Sequence, residues 1–343
     1  MRVLVIGGTG LISTAIVNRL LDCGHEPVLF NRGTTSPRLR GEARVIKGDR
    51  GDNTAFAEKV RGVNADAVID MITYDAGRAR HAVEVFSGKT GQYLFCSTVC
   101  VYGGPLDSIP ATEDEPHKPV SEYGRGKSAA EAVFMAAFGK DGFPVTIFRP
   151  SHCYGPGQPL LDIWGYNPCL VSRIREGRPI IVPGDGRGLW QPGHVDDVAK
   201  GFVGALGRPA TLGRAYNVVG DEIMNWRNFH KRMARALGRE ANIVPMTTRQ
   251  IAAGAPKDQT QMLRENFQYN AAYSNAALKA DVPEFTDLKP WEDGVRETVQ
   301  WMDENGIHRP CGAQPWIDRL AEREAAFLET LAGGEETWTP RKA

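Results

Sequence analysis

The sequence predicts an α/β protein built on a doubly wound parallel sheet, with a smaller and partly discontinuous C-terminal lobe. Short continuous runs of Val, Ile and Leu alternate with helical patterns along the first half of the chain. Strands of a parallel sheet need such runs, because helices bury both of its faces. After "PVTIFRPS", near residue 150, the chain becomes rich in Pro and Gly with shorter helices, and this change predicts the lobe.

The predicted elements follow one another in a regular order. A strand in "RVLVIGG" leads into a helix in "GLISTAIVNRLLDCG", and strands in "EPVLFNR" and "ARVIKGD" precede a helix in "DNTAFAEKVRG". A strand in "ADAVIDMIT", a helix around "GRARHAVEVFS" and a strand in "GQYLFCST" continue the alternation. We predict a sheet domain over residues 1–165, to which segments around 190–222 return, then a lobe over 166–332 and a flexible tail over 333–343.

Composition excludes several classes of protein. Lys plus Arg and Asp plus Glu are both 41 in 343 residues, so no global field attracts nucleic acid or an anionic membrane. The six cysteines show no C-x-x-C pair, which favours free thiols in a reducing cytosol and no metal site. No apolar stretch approaches the roughly 18 residues of a membrane span, and no signal-type segment opens the chain. We therefore expect a cytoplasmic protein.

A glycine-rich turn follows the first predicted strand. In "VLVIGGTGLIS", Gly7, Gly10 and Ser13 have G-x-x-G-x-x-S spacing between a strand and a helix. Glycines let backbone N–H groups approach a pyrophosphate at the positive end of the helix, so this order predicts a dinucleotide site of the Rossmann type. A serine replaces the usual third glycine. The predicted cofactor contacts at this turn are Gly7, Thr9, Gly10, Leu11 and Ile12.

The ends of the second and third strands bear on the choice of cofactor. The second strand ends in Asn31-Arg32, where an acidic residue would accept the ribose hydroxyls of NAD. A neutral amide followed by Arg32, with Arg38 and Arg40 nearby, favours the 2'-phosphate of NADP, although arginines on such a loop are often only solvated charges. NAD remains the other candidate. Asp49 ends the third strand and either binds the adenine amino group or begins a turn.

Three polar side chains are expected to converge at the carboxyl edge of the sheet. The strand in "GQYLFCST" ends at Thr98, and Tyr123 and Lys127 lie on one face of a later helix, one turn apart. A hydroxyl, a phenol and an ammonium would then meet beside a nicotinamide. The alternative is an ordinary pair of polar residues on a helix surface.

Five ordered motifs make the chain resemble a known family. "GGTG", "STVCVYG", "YGRGK", "RPSHCYGPGQ" and "GHVDDVAKG" resemble the extended short-chain dehydrogenase/reductases, the NAD(P)-dependent sugar epimerase/dehydratase family, from residue 1 to about 305. The resemblance implies that Tyr123 is the general base, that Lys127 lowers its pKa and binds the nicotinamide ribose, and that Thr98 bonds the reacting oxygen. Further cofactor contacts implied by the resemblance are Arg50, Ile72, Ser97, Pro150 and His152.

Departures from the family pattern bear on the reaction. The family's dehydratases and decarboxylases carry carboxylates just after the threonine, where this chain has Val99 and Cys100, so elimination and decarboxylation are not expected. Cys100 is either an acid or a packed thiol. Trp190 and Gln191 stand where sugar-nucleotide enzymes usually show Arg-Asp, which argues against a nucleotide diphosphate unless Arg173, Arg175 or Arg187 substitutes. The predicted substrate contacts are Thr98, Cys100, His152 and Trp190.

The sequence leaves three functions open. The first is an NAD(P)-dependent epimerase that oxidises a sugar or sugar nucleotide transiently to a ketone and returns the hydride. The second is an NADPH-dependent ketone reductase or dehydrogenase. "VLFNRG" and "VIDMITY" also resemble a branch containing chloroplast stem-loop-binding relatives and their bacterial homologues. The third function is therefore an RNA-associated nucleotide-binding protein with vestigial catalysis, which the zero net charge disfavours. The expected partners are a sugar or sugar-nucleotide substrate and a second copy of the chain in a homodimer.

Overall fold

The computed structural model of the protein describes residues 1–35 and 38–333. The tail expected from residue 333 lies, from residue 334 onward, outside the described residues. The strands are β1 (Arg2–Ile6), β2 (Glu26–Asn31), β3 (Arg44–Lys47), β4 (Ala67–Asp70), β5 (Gln92–Cys96), β6 (Val145–Pro150), β7 (Cys153–Tyr154), β8 (Leu161–Asp162), β9 (Gly165–Tyr166), β10 (Pro179–Pro183), β11 (Leu189–Trp190), β12 (Gly193–His194), β13 (Arg214–Val218), β14 (Met224–Asn225) and β15 (Asn242–Met246). The helices are α1 (Leu11–Asp22), α2 (Asn53–Val60), α3 (Ala76–Phe86), α4 (Glu122–Asp141), α5 (Leu170–Arg175), α6 (Val195–Gly204), α7 (Trp226–Ala236), α8 (Thr248–Gly254), α9 (Ala276–Asp281), α10 (Trp291–Glu304) and α11 (Pro315–Gly333).

Strands β1 to β6, from the first half of the chain, form a seven-stranded parallel sheet together with β13. Its order is β13-β6-β5-β4-β1-β2-β3, so the chain builds outward from β1 in one direction and then from β4 in the other. The strands are almost wholly buried, as their continuous apolar runs require. The doubly wound parallel sheet predicted from the sequence is confirmed. The crevice where the order reverses, between β1 and β4, is where such sheets bind ligands.

Each face of the sheet has its own apolar core. On one face α1 and α6 pack together, with Ile16, Val17, Val198 and Phe202 fully or almost fully buried. On the other face α2, α3 and α4 supply buried side chains that include Phe56, Ala82 and Phe134. Each large apolar side chain buried in this way contributes about 1.5–3 kcal/mol to folding. The helices hold the carboxyl edge of the sheet rigid beneath the candidate site.

The lobe has a third core, which interleaves with the sheet domain along the chain. Trp226, Phe229 and Trp291 lie at its centre beside the parallel pair β10 and β15, but Val101 and Leu160 from the first half also pack there. In the other direction, β13 pairs with β6, and Leu278 of α9 packs on the sheet core. The chain thus passes between the two parts several times.

The last helix covers the lobe with its first half. Ile317 and Leu320 of α11 are buried in the lobe core, and Asp318 pairs with the buried Arg173 of α5. Further along, the apolar side chains Phe327, Leu328 and Leu331 are exposed. None of the described helices is both long and apolar enough to cross a membrane.

Candidate active site

The glycine turn between β1 and α1 has the geometry of a phosphate cradle. Gly7 has φ +87°, and a Cβ there would lie 2.6 Å from Cγ2 of Ile72. The backbone N–H of Gly10 donates to Oγ of Ser13 at 2.8 Å, and that hydroxyl can donate to the Gly10 carbonyl at 3.3 Å. Ser13 therefore closes the first turn of α1 from inside, at 2% exposure. The free N–H groups at the start of α1 and its positive end suit a pyrophosphate, so the turn fits the dinucleotide that the sequence predicts.

A cavity of about 360 Å³ adjoins this turn at the carboxyl ends of β1 to β4. We call it the adenosine-side cavity. It brings together eight of the residues predicted to contact the cofactor: Gly7, Thr9, Gly10, Asn31, Arg32, Asp49, Arg50 and Ile72. Arg78 of α3 also lines it. The sequence analysis missed Arg78, because no motif marks it.

The arginines near this cavity have different roles. Arg32 is exposed and lines the cavity beside Asn31, whose Oδ1 accepts the N–H of Gly33 at 2.8 Å. Arg40 instead pairs with Asp22 at 2.7 Å, and the guanidinium of Arg38 lies 4.6 Å from the ring centroid of Trp301. Neither Arg38 nor Arg40 lines the cavity, and the expectation that they support Arg32 at a 2'-phosphate stays a prediction.

The side chains of Asp49 and Arg50 both form hydrogen bonds to neighbouring backbone groups. Oδ1 of Asp49 accepts the N–H of Gly51 at 2.7 Å, which favours the turn among the two roles left open for it. Arg50 is 3% exposed, lies 4.1 Å from the ring centroid of Phe56 and donates to the carbonyl of Arg78 at 3.0 Å. Both side chains shape the wall of the cavity.

A second cavity, of about 450 Å³, lies between the carboxyl edge of the sheet and the lobe. We call it the substrate-side cavity, and its size is typical of a small-molecule site. Thr98, Cys100, Tyr123, His152 and Trp190 from the sequence prediction all line it, as does Ile12 from the glycine turn. The remaining lining residues are Val99, Gly103, Ser121, Ser151, Cys153, Tyr166, Gln191, Gln261, Met262, Glu265, Asn266, Tyr269, Asn270, Ala271 and Tyr273.

Two glycines bring the first turn of α4 against the ends of the strands. Ser121 caps the helix by accepting the N–H of Gly124 at 3.0 Å. A Cβ at Gly124 would collide with the carbonyl oxygen of Cys100, and one at Gly126 with that of Tyr74. The glycines of "YGRGK" therefore allow a close approach that places Tyr123 in the cavity wall.

Lys127 is buried beneath Tyr123. Its exposed fraction is 1%, and its ammonium donates to the carbonyl oxygen of Cys96 at 2.6 Å and lies 4.6 Å from the ring centroid of Tyr74. Burial lowers the pKa of Lys127, although the charges of Asp70 and Glu131 oppose this effect. A lysine held in this way is preorganised at the sheet edge.

The side chains around Tyr123 raise its pKa. Desolvation by the cleft walls is the main cause, and the Thr98 hydroxyl opposes it. The lowering expected from Lys127 together with an oxidised nicotinamide concerns the cofactor-bound site and stays a prediction. The lysine nitrogen lies 5.9 Å from the centroid of the Tyr123 ring and bonds the Cys96 carbonyl instead. Tyr123 is thus a phenol that holds its proton at neutral pH.

Thr98 and Cys100 lie on a short 3-10 turn, Val99–Val101, after β5. Oγ1 of Thr98 accepts the N–H of Cys100 at 3.2 Å, and Sγ of Cys100 lies 3.4 Å from Oδ1 of Asn266. Burial raises the pKa of Cys100, which keeps it a thiol. Val99 packs in the lobe core. This turn joins the sheet edge to the lobe wall.

The hydroxyl of Ser97 belongs to a buried network of hydrogen bonds. It donates to Glu131 of α4, whose carboxylate pairs with Arg149 of β6 at 2.6 Å. Arg149 donates in turn to the Tyr102 hydroxyl at 2.7 Å, and Tyr102 donates to Asn217 of β13 at 2.7 Å. Ser97 was predicted as a cofactor contact, but the structure shows a side chain that fixes α4 on the sheet.

His152 lies in an aromatic wall of the substrate-side cavity. Its ring centroid is 4.9 Å from that of Tyr166, 5.7 Å from Phe267 and 6.0 Å from Trp190. Burial lowers the pKa of His152 to about 4, so the imidazole is neutral at pH 7. Its Nε2 is buried and has no hydrogen-bond partner among residues 1–35 and 38–333. Pro150, just before it, is buried at the end of β6 and lines neither of these two cavities.

The three arginines suggested as substitutes for the one that the pattern lacks lie outside the substrate-side cavity. Trp190 is 4% exposed and stacks on Trp226 at 4.9 Å between ring centroids. Arg173 pairs with Asp318, Arg175 pairs with Asp303 at 2.8 Å, and Arg187 lies beside Asp185 at 3.3 Å. None of the three lines the substrate-side cavity, so the suggestion that one of them replaces the missing arginine is wrong.

A carboxylate that the sequence analysis missed does line this cavity. Glu265 lies on the π-helical turn Leu263–Phe267, where Gln261 donates to its Oε1 at 3.2 Å. No family motif covers this turn, and its placement depends on how the lobe folds back over the sheet. The replacement of the family's carboxylates by Val99 and Cys100 therefore does not leave the cavity without a carboxylate.

A separate trio of His194, Asp196 and Glu297 has the spacing of metal ligands. The ammonium of Lys289 pairs with both carboxylates, at 3.0 Å from Asp196. Desolvation lowers the pKa of His194 to about 3, so its ring is neutral. A lysine already neutralises these carboxylates, and the trio is better explained as a link between α6 and α10.

The fold defines the class of this protein, and comparison defines its family. A sheet that reverses at β1 and β4, with a glycine cradle at the start of α1, is characteristic of dinucleotide-binding α/β proteins. A sequence model described as the NAD dependent epimerase/dehydratase family matches residues 3–219, and the chain belongs to this family of extended short-chain dehydrogenase/reductases.

Two curated relatives span most of the chain. The chain is 25% identical over 326 residues to a 2'-dehydrokanamycin reductase of Streptomyces kanamyceticus, covering 95% of this chain and 91% of the relative. It is 29% identical over 273 residues to the chloroplast stem-loop binding protein of 41 kDa b of Arabidopsis thaliana, covering 75% and 68%. Among solved structures, the UDP-glucose 4-epimerase of Thermotoga maritima with UDP-glucose superposes with a TM-score of 0.72 at 18% identity, covering 89% and 99%. That likeness concerns the fold alone.

Proposed function

We propose that this protein is an NAD(P)-dependent oxidoreductase that interconverts a ketone and a hydroxyl on a sugar-like substrate without a nucleotide. The observation that carries the proposal is the substrate-side cavity, where Tyr123 and Thr98 meet Ile12 of the glycine turn and none of the described lining residues is Lys or Arg. The NAD-dependent family supports the cofactor. The relative that spans 95% of the chain is named as a reductase, which supports net reduction.

The residues present would hold the cofactor in a defined way. The free N–H groups of Leu11 and Ile12, at the start of α1, would bind the pyrophosphate, and Arg32 would bind a 2'-phosphate, which favours NADP over NAD. Lys127 would bond the nicotinamide ribose. When bound, the nicotinamide supplies or accepts a hydride.

The chain's own groups then move one proton. In the direction of reduction, Tyr123 donates its phenolic proton to the carbonyl oxygen as the carbon receives the hydride, which leaves an alcohol and a phenolate. The raised pKa of Tyr123 suits this step, because the phenol is protonated at neutral pH. Thr98 would bond the same oxygen, and the neutral His152 would bond a substrate hydroxyl through its free Nε2.

Substitution of Tyr123 by Phe tests the proposal. The substitution removes the proton donor but keeps the ring, so kcat for ketone reduction should fall by roughly 10²–10⁴-fold. Quenching of tryptophan fluorescence by NADPH measures the affinity for the cofactor, and the substitution should not change this affinity. Retained turnover by Tyr123→Phe would remove the phenol from the mechanism.

Epimerisation is the second candidate, since the description of the family names epimerases. The two candidates differ in their cofactor balance. A reductase consumes one reduced cofactor for each product, whereas an epimerase returns its hydride and consumes none. Stoichiometric loss of the near-ultraviolet absorbance of NADPH supports reduction, and product formation without that loss supports epimerisation.

RNA association is the candidate from another class, and the Arabidopsis thaliana relative is its support. Because Lys plus Arg equals Asp plus Glu, any RNA affinity would need a local patch and would fall steeply with salt. Filter binding of a stem-loop RNA across a salt series measures it. The homodimer and the cytoplasmic location stay predictions, which sedimentation and cell fractionation measure.

A further inference from the structure

The described residues that line the substrate-side cavity carry formal charge of one sign only. Among its described lining residues, Glu265 is the one that carries a formal charge at pH 7. Burial keeps His152 neutral, and it raises the pKa values of Cys100 and Cys153 so that both remain thiols. The other walls are amides, hydroxyls, aromatic rings and aliphatic groups. The formal charge that the described lining residues place in this cavity is therefore negative.

Glu265 lines the same cavity as Thr98 and Tyr123. Its neighbour Asn266 lies 3.4 Å from Sγ of Cys100, and Cys100 N–H bonds Oγ1 of Thr98. The charge of Glu265 also acts on Cys100, where it adds to the effect of burial. The carboxylate is half-buried, and the one bond that it accepts from Gln261 leaves lone pairs for a ligand.

This negative charge discriminates between classes of substrate. A diphosphate would bring negative charge next to Glu265 without a cation to compensate it, which is costly in a partly desolvated site. A protonated amine would gain a charge-assisted hydrogen bond to the carboxylate. Aromatic walls that include Tyr166, Trp190 and Tyr269 favour a cation as well. The unpartnered Nε1 of Trp190 and Nε2 of His152 offer further polar contacts in the same walls, among the residues that the structure describes.

We propose that the substrate is an amine-bearing sugar whose ammonium group binds Glu265. The inference rests on the proposed ketone–hydroxyl function and names the substrate class of that site. Glu265 is then a specificity residue that orients the substrate through its ammonium, while Tyr123 transfers the proton.

Equilibrium binding tests the proposal without turnover. The probes are the glucosamine disaccharide, which carries two ammonium groups, the isosteric neutral cellobiose, and UDP-glucose, each titrated into protein saturated with NADP and followed by calorimetry. We expect the glucosamine disaccharide to bind on the order of tenfold more tightly than cellobiose, as a hydrogen bond between charged groups allows. Glu265→Gln should remove this difference and leave cellobiose binding unchanged.

Glu304→Gln is the matched control. Glu304 on α10 accepts a bond from Gln300 four residues earlier, as Glu265 does from Gln261, but it lies outside the cavity. This variant should keep the full preference for the amine. Equal affinity for the two disaccharides, including undetectable affinity for both, would overturn the proposal, as would tighter binding of UDP-glucose. Because turnover is not measured, a failure here is distinct from a failure of the Tyr123→Phe test.

Discussion

At the scale of single residues, position decides which arginine acts at the adenosine-side cavity. Arg32, Arg38 and Arg40 are close in sequence, yet Arg32 lines the cavity while Arg40 pairs with Asp22 and Arg38 lies on Trp301. A guanidinium already bound to a carboxylate or a ring has less to offer a phosphate. Of these three arginines, Arg32 is the one that lines the cavity, and its part in the choice between NADP and NAD stays a prediction.

We predict that Arg32→Ala weakens NADP binding and spares NAD binding. Loss of a charge-assisted contact to the 2'-phosphate should raise the Kd for NADP on the order of tenfold. Arg40→Ala removes a neighbouring arginine that lies outside the cavity, and it should change neither affinity. Fluorescence titration of both cofactors with both variants measures this. Equal losses for NAD and NADP would contradict a role in 2'-phosphate recognition.

At this scale, the sequence predicts most of the site residues that lie in the family motifs. It does not predict the wall of the substrate-side cavity that the lobe supplies. Tyr123, Thr98 and the glycine turn are local to strand ends, and strand ends are predictable from apolar runs. Glu265 comes from a π-helical turn that reaches the cavity through long-range folding of the lobe. Ionic partners such as Asp318 for Arg173 are likewise invisible in the sequence, because 145 residues separate them.

At the scale of elements, α4 is the helix that connects the site to the sheet. Its Tyr123 lines the substrate-side cavity, and its Lys127 is buried beneath Tyr123. Its Glu131 pairs with the buried Arg149 of β6. The sequence predicts this helix and its spacing. It does not predict the close approach of the first turn, which depends on Gly124 and Gly126 meeting two carbonyl oxygens.

We predict opposite effects of alanine at two glycines of α4. A Cβ at Gly126 must push the helix away from the Tyr74 carbonyl, so Gly126→Ala should lower stability by about 1–3 kcal/mol and lower kcat. Gly139 is exposed on the same helix with nothing within 4 Å, so Gly139→Ala should raise stability by about 0.5–1 kcal/mol and leave kcat unchanged. Urea unfolding and steady-state kinetics measure both. A stabilised, active Gly126→Ala variant would contradict the close approach.

At the scale of the whole molecule, three histidines are buried in neutral form. Burial lowers the pKa of His152 to about 4 and that of His194 and His230 to about 3. The same groups ionise near pH 6.5 in an unfolded chain, which therefore binds more protons between these values. Their contribution to stability is complete above pH 6.5 and is lost as the pH falls towards 4 and then 3.

We predict that His230→Leu flattens this acid dependence. His230 is fully buried beside Trp226 and Phe229, and neither ring nitrogen has a partner among the described residues, so leucine should be tolerated at neutral pH. Between about pH 6 and pH 4, the slope of the unfolding free energy should fall by about 1.4 kcal/mol per pH unit, the value of one proton. Urea unfolding across this range measures it, and an unchanged slope would show that His230 is accessible to protons in the folded state.

The interleaving of the three apolar cores bears on how the molecule unfolds. Val101 and Leu160 belong to the lobe core, while Leu278 and β13 belong to the sheet, so a cut near residue 165 would strip apolar surface from both parts. Neither fragment would keep a closed core of its own. We therefore expect one cooperative transition in which sheet and lobe melt together, so that the cofactor cradle and the substrate wall survive or fail as a single unit.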